Sequence, residues 1–179
     1  NPPHSTFLLR KMLDNSSFKI DFINRLADLM NVNFNPEQVI QSIDKFRSKI
    51  HSEIPNHLDR WDRSYDDWEW KVDYIRNFAR LRPAVVRDHV IEKFNLSGTS
   101  RIEIDIIPQG AGEIHINSVI LSEYPWTGIY FNDNPIQIKA YSNPSYTFKH
   151  WELDIESDIA FKEFTLQNDQ QITALFEAL

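Results

Sequence analysis

Apolar residues recur at helical spacing through the first half of the chain, from Phe7 to Phe94. Phe18, Phe22, Leu26, Leu29 and Met30 follow i, i+4, i+8, i+11 and i+12, which is one stripe of an amphipathic helix. Asn35-Pro36-Glu37-Gln38 then places an N-cap residue, a proline at the first helical position and a glutamine at the third, a variant of the capping box. The helix this opens carries Val39, Ile40, Ile43, Phe46 and Ile50 on one face, and Pro55 is predicted to mark its end. A turn through His57 and Trp61 leads to a third long segment with Trp68, Val72, Ile75 and Ala79. Pro83 is predicted to break that segment, leaving a last helix with Val86, Val90 and Phe94, and Leu96-Ser97-Gly98 supplies a glycine stop. The first half is therefore predicted to be an all-helical bundle.

Beyond Gly98 the period changes from that of a helix to two. Arg101-Ile102-Glu103-Ile104-Asp105-Ile106 alternates strictly, as a strand with one buried face does. Pro108-Gln109-Gly110-Ala111-Gly112 turns into a second alternating run, Glu113–Asn117. Asn132-Asp133-Asn134-Pro135 turns into Ile136–Ala140, and Asn143-Pro144-Ser145 turns into Tyr146–Trp151. Gln171–Phe176 closes the series. About six short strands predict a small antiparallel sheet or sandwich with Phe148, Trp151, Phe164 and Phe176 in its core. The fold class is α+β, with a helical region at residues 1–98 and a β-rich module at residues 99–179.

Composition sharpens this boundary. Residues 1–98 hold 15 Lys and Arg against 14 Asp and Glu, a net of +1, whereas residues 99–179 hold 4 against 12, a net of −8. Phosphate binding needs clustered cations, so the acidic second half is a poor nucleic-acid binder. The 12 Phe and 5 Trp are enough to build cores. No apolar run approaches the roughly 20 residues of a membrane-spanning helix. The opening Asn1-Pro2-Pro3-His4-Ser5 lacks the basic and apolar regions of a secretory signal. Without cysteine there are no disulfides, thiolate zinc sites or cysteine nucleophiles.

Candidate chemistry is sparse. His51 and His57 lie six apart across Pro55, which is not a helical metal pair. Asp62, Asp66, Asp67 and Glu69 lack the glycine and ligand spacing of a calcium loop and fit a solvated helix start instead. Arg76, Arg80, Arg82 and Arg87 form a basic stretch whose ordinary fate is ion pairing with Asp73, Asp88 and Glu92. Glu152, Asp154, Glu156 and Asp158 crowd one loop rather than facing across a cleft, as a glycosidase pair must. His115 and His150 have no evident nucleophile partner. The binding candidates lie in Tyr124-Pro125-Trp126-Thr127-Gly128-Ile129-Tyr130-Phe131. There Tyr124, Trp126 and Tyr130 offer aromatic faces to a sugar or a protein, with Asn132, Asp133 and Asn134 as hydrogen-bonding neighbours. The competing reading is that these rings only close an open end of the sheet.

Two stretches resemble known families. Phe7-Leu8-Leu9-Arg10-Lys11-Met12-Leu13-Asp14-Asn15, with Phe18, Phe22, Arg25 and Leu26 after it, is similar to the C-terminal part of the CotH kinase family, bacterial proteins with a protein-kinase-like fold. The likeness continues through Ile43-Asp44, Ile50, His57, Arg60-Trp61 and Ile75-Arg76-Asn77-Phe78-Ala79-Arg80-Leu81-Arg82-Pro83, and Phe94, Leu96 and Gly98 resemble the family's closing pair and glycine. The resemblance implies that the nucleotide-binding and metal-binding motifs lie upstream. In agreement, residues 1–98 hold no glycine before Gly98 and hence no glycine-rich phosphate loop. Further on, Ile138-Lys139-Ala140, Pro144 and Tyr146-Thr147-Phe148-Lys149-His150-Trp151-Glu152 resemble divergent internalin-type B-repeat modules. Phe164-Thr165-Leu166 and Ile172-Thr173-Ala174-Leu175-Phe176 are similar to the closing strand of those modules. Ser145 stands where they place a glycine.

Together these resemblances imply a non-catalytic C-terminal portion of a secreted or surface bacterial protein. No cofactor is expected within it, Mg-ATP would bind upstream, and its partners would be an upstream kinase-like domain and a surface glycan or protein. The alternative is a carbohydrate-binding or adhesion module. The two differ physically, because the tail of a larger domain should expose an apolar patch where the remainder packs and a self-sufficient bundle should not.

Overall fold

The computed structural model describes residues 4–152 and 158–179, so Asp154 and Glu156 of the acidic run lie outside the described residues. Among the described residues five α-helices precede eight strands, which makes the fold α+β. Helix α1 spans Phe7–Leu13, α2 Ser16–Val32, α3 Pro36–Ile50, α4 Ile54–Arg60 and α5 Tyr65–Phe94. The strands are β1 (Thr99–Ile107), β2 (Gly112–Ile116), β3 (Val119–Leu121), β4 (Trp126–Phe131), β5 (Pro135–Ser142), β6 (Tyr146–Glu152), β7 (Phe161–Thr165) and β8 (Gln170–Ala178).

Local chemistry explains the helix ends and corrects three expectations. The Asn35 side chain accepts from the Gln38 backbone N–H at 2.9 Å, which is the predicted cap of α3. Pro55, expected to close that helix, sits in the first turn of α4, where a missing N–H costs nothing. Pro83 does not break the chain, because α5 runs unbroken through it for 30 residues. Proline removes one bond to the preceding turn, and the intact turns on either side carry the helix past it. The stop of α5 is Asn95 rather than Gly98. Asn95 adopts φ 55°, and the Leu96 N–H reaches back to the Ile91 carbonyl at 3.1 Å, the bond that seals a helix ending in a left-handed residue.

By its contacts the chain forms two compact units, Asn1–Asp28 with Val90–Leu179, and Leu29–His89. In the first unit the strands make two sheets, ordered β4-β1-β8-β6 and β3-β2-β5-β7. Pairing is antiparallel throughout with one departure from the expected sheet, since β1 and β8 run parallel, Ile104 opposite Ile172. The period-two pattern puts Ile102, Ile104 and Ile106 of β1 and Ile114 and Ile116 of β2 into one core. Ile136 and Ile138 of β5, Trp151 of β6 and Phe176 of β8 join them. Ile23 and Ala27 of α2 and Val90 of α5 belong to the same cluster, so helical residues seal the sandwich. Strands β3, β4 and β7 lie outside the five runs named from the alternation. Only three residues make β3, and β4 carries an irregular burial pattern that alternation does not reveal.

Candidate interaction surface

The second unit holds α3, α4 and most of α5. Helices α3 and α5 are joined by side chains: Arg47 pairs with Glu69, and Arg76 pairs with Asp44 as well as with Asp73, the last at 2.6 Å. The Arg47 guanidinium lies 5.2 Å from the centroid of the Trp68 ring. The bond from Arg47, reinforced by Tyr65, holds the Glu69 carboxyl below its ordinary range and raises the Arg47 guanidinium in turn.

Helix α5 is apolar on two opposite faces. Val72 and Ala79 lie on its buried side. On the other side Trp70, Tyr74, Phe78, Leu81 and Val85 follow i, i+4, i+8, i+11 and i+15, again a helical stripe, and every one of them is exposed, Trp70 and Tyr74 by 62%. Exposed Phe46 and Ile50 on α3 have the same character. Charged and polar residues separate the two faces, and five large apolar side chains in a row make a contiguous exposed apolar stripe of the kind that marks interaction surfaces.

Among the four arginines of α5, the expected ion pairing holds for one. Arg76 is engaged as described, whereas no ion pair involves Arg80, Arg82 or Arg87 among the described residues. Arg82 lies over the Phe78 ring at 5.8 Å, and burial pushes the Arg87 guanidinium down. Asp66, Asp67 and Glu69 fall in the opening turns of α5, where the Ser64 hydroxyl caps Asp67 N–H at 3.0 Å and the helix dipole favours acids. His51 Nε2 meets Tyr65 Oη at 2.9 Å, and His57 lines an open depression of about 400 Å³ with Trp61, Arg63 and Trp68. Among the described residues no cluster of His, Asp and Glu is placed to hold a metal.

The aromatic segment of the β unit is tied inward. Tyr130 is fully buried and donates its hydroxyl to Asp28 at 2.8 Å. Tyr124 is half-buried. Its hydroxyl donates to the Leu121 carbonyl at 3.1 Å and accepts from Ile114 N–H at 2.8 Å, and burial raises its pKa. Trp126 is half-buried, with its ring 6.4 Å from that of Tyr130. The side chain of buried Asn132 accepts from the Ser100 hydroxyl at 2.6 Å. Asp133 accepts from Ser97 N–H and Gln167, and Asn134 donates to Asn24.

Asp28, which no motif or period singles out in the sequence, organises this region. It is 1% exposed, yet it accepts from Ser118 N–H at 3.0 Å and Ser118 Oγ at 2.5 Å in addition to Tyr130. A buried carboxylate is tolerable only with such donors. Its sequence signal was one acid among the apolar positions Ala27, Leu29 and Met30, indistinguishable from an exposed position until β3 and β4 are placed. In the second unit, Trp68, Val72, Ile75 and Ala79 already satisfy a helical period in the sequence, which hides the outer stripe; of the four, Val72 and Ala79 are buried, Trp68 is half-buried and Ile75 is exposed.

No helix of the described residues is long and apolar enough to cross a membrane. Neither the curated proteins nor the solved structures contain a match to this chain. The family model described as CotH kinase protein matches residues 1–86, a span that takes in α1 to α4 and α5 as far as Val86, outer stripe included, so the helical part of the chain is similar to that family.

Proposed function

We propose that this chain is a non-catalytic C-terminal portion of a CotH-like bacterial protein, in which its helices complete a kinase-like domain. The single observation that carries the reading is the outer stripe of α5, which lies inside the matched residues and has nothing over it. Covering five large side chains that are now at least 40% exposed is worth on the order of 1 kcal/mol apiece or more. That is enough to dock a helix pair against a larger body. The β unit presents this domain or contacts a partner, and its resemblance to B-repeat modules belongs to the same proposal, as does a secreted or surface location.

Mg-ATP binding then belongs to motifs upstream, since residues 1–97 contain no glycine from which to build a phosphate loop. Thermal unfolding with and without Mg-ATP tests this, on these 179 residues and on a longer chain that carries the remainder of the family domain. A ligand that binds the folded state raises the midpoint according to concentration over affinity. A shift in the longer chain alone is the expected result. A shift in the 179 residues themselves overturns the proposal.

A further inference from the structure

We infer that the element covering the outer face of α5 is an amphipathic helix with carboxylates along the margins that face Arg80 and Arg82; the inference rests on the proposal that this face is covered within the kinase-like domain. Between Asp73 and Asp88 the chain holds four arginines and no acid. Arg76 is neutralised by Asp44 and Asp73, and Arg80 and Arg82 have no such partner among the described residues.

Their placement relative to the stripe is what matters. At about 100° per residue, Trp70, Leu81, Tyr74, Val85 and Phe78 fall within an arc of about 80°. Arg82 then stands about 40° beyond the Phe78 edge, and Arg80 about 80° beyond the Trp70 edge. Lys71 and Asp73 fall in the same margins but are already paired, with Asp67 and Arg76, and Ile75, 51% exposed, lies about 20° beyond Arg82; between Trp70 and Val85 the charges beside the ridge that lack an ion pair among the described residues are thus two cations, one on each side. From Trp70 to Val85 the ridge extends about 22 Å at the usual rise per residue, a length and width that suit one helix packed ridge into groove. A neutral or basic cover would strip water from both guanidinium groups and give them nothing in return, which is costly. Carboxylates on the margins of the cover supply the forked acceptors that arginine binds best.

The test compares two double variants in the longer chain and in the 179 residues alone. Thermal midpoint and hydroxyl-radical labelling of Trp70 and Tyr74 are the readouts. Arg80→Glu with Arg82→Glu is expected to lower the midpoint of the longer chain by about 3 °C or more, and to change that of the 179 residues by less than about 1 °C, because both side chains are solvent-exposed there. Phe78→Ala with Leu81→Ala is expected to destabilise the longer chain as well. If only the apolar pair destabilises it, or if charge reversal raises its midpoint, the acidic cover is refuted while the proposed function stands. If neither pair acts and Trp70 labels equally in both chains, the face is uncovered and both ideas fall.

Discussion

Replacing Asp28 with alanine should weaken the β unit more than any surface change. Its carboxylate is buried and accepts from Tyr130 Oη at 2.8 Å and from both the Ser118 N–H at 3.0 Å and the Ser118 hydroxyl at 2.5 Å. The truncated side chain removes the carboxylate to which Tyr130 Oη, also in the core, donates, and frees the Ser118 amide. A buried donor left unpaired costs about 1–3 kcal/mol, and bonds to a charged group sit at the upper end of the scale. Two such losses give roughly 3–5 kcal/mol, less what water entering the gap recovers. For a chain of this size 1 kcal/mol moves the melting midpoint by about 2–4 °C, so a fall on the order of 10 °C is expected. Asp28→Asn keeps the volume but turns donors toward donors, and should fall between wild type and alanine. Tyr130→Phe removes one bond and leaves the ring, so it should cost about 1–2 kcal/mol. Urea unfolding followed by tryptophan fluorescence measures all three. A loss below about 1 kcal/mol for Asp28→Ala would show that this network is solvated and does not tie α2 to the sandwich.

Gly112→Ala should destabilise by about 1–3 kcal/mol, since the new Cβ would lie 2.3 Å from the Tyr141 carbonyl oxygen and 2.8 Å from the Phe176 ring. Gly110→Ala meets open space and costs only the strain of its φ of +78°, about 1–2 kcal/mol, and paired urea curves separate the two. Glu69→Gln should flatten the acid limb of stability against pH. The folded carboxyl is held below its ordinary value of 4.5, chiefly by Arg47. Its contribution is therefore present above that value and lost as pH falls through the folded one, a loss the variant cannot show. Trp126→Ala, which removes a half-buried ring packed near Tyr130, should lower the midpoint measurably. Glycan binding that disappears in this variant with no change in midpoint would favour an adhesion role instead.

Period-two runs made β1, β2, β5, β6 and β8 legible in the sequence, because one face of each is buried and the isoleucines declare it. The capping asparagine of α3 was equally plain. What escaped depended on distant partners. Proline rules predicted a break at Pro83, but a helix of 30 residues tolerates one missing bond when its other turns stay paired. Tyr130 looked like a binding aromatic until the Asp28 carboxylate, 102 positions earlier, was seen to accept its hydroxyl. The second face of α5 was hidden in plain view. Two apolar faces on one helix, with charged residues between them, leave open in the sequence which face is buried and by what.

Hydroxyl-radical footprinting of Trp70, Tyr74 and Phe78, in these 179 residues and in a longer chain with the rest of the CotH-like domain, tests the central claim most directly. Strong labelling is expected in the short chain, where the three are 55–62% exposed, and several-fold protection in the longer one. Equal labelling in both would mean that the stripe is not an internal seam, and the reading of this chain as the tail of a kinase-like domain would fail.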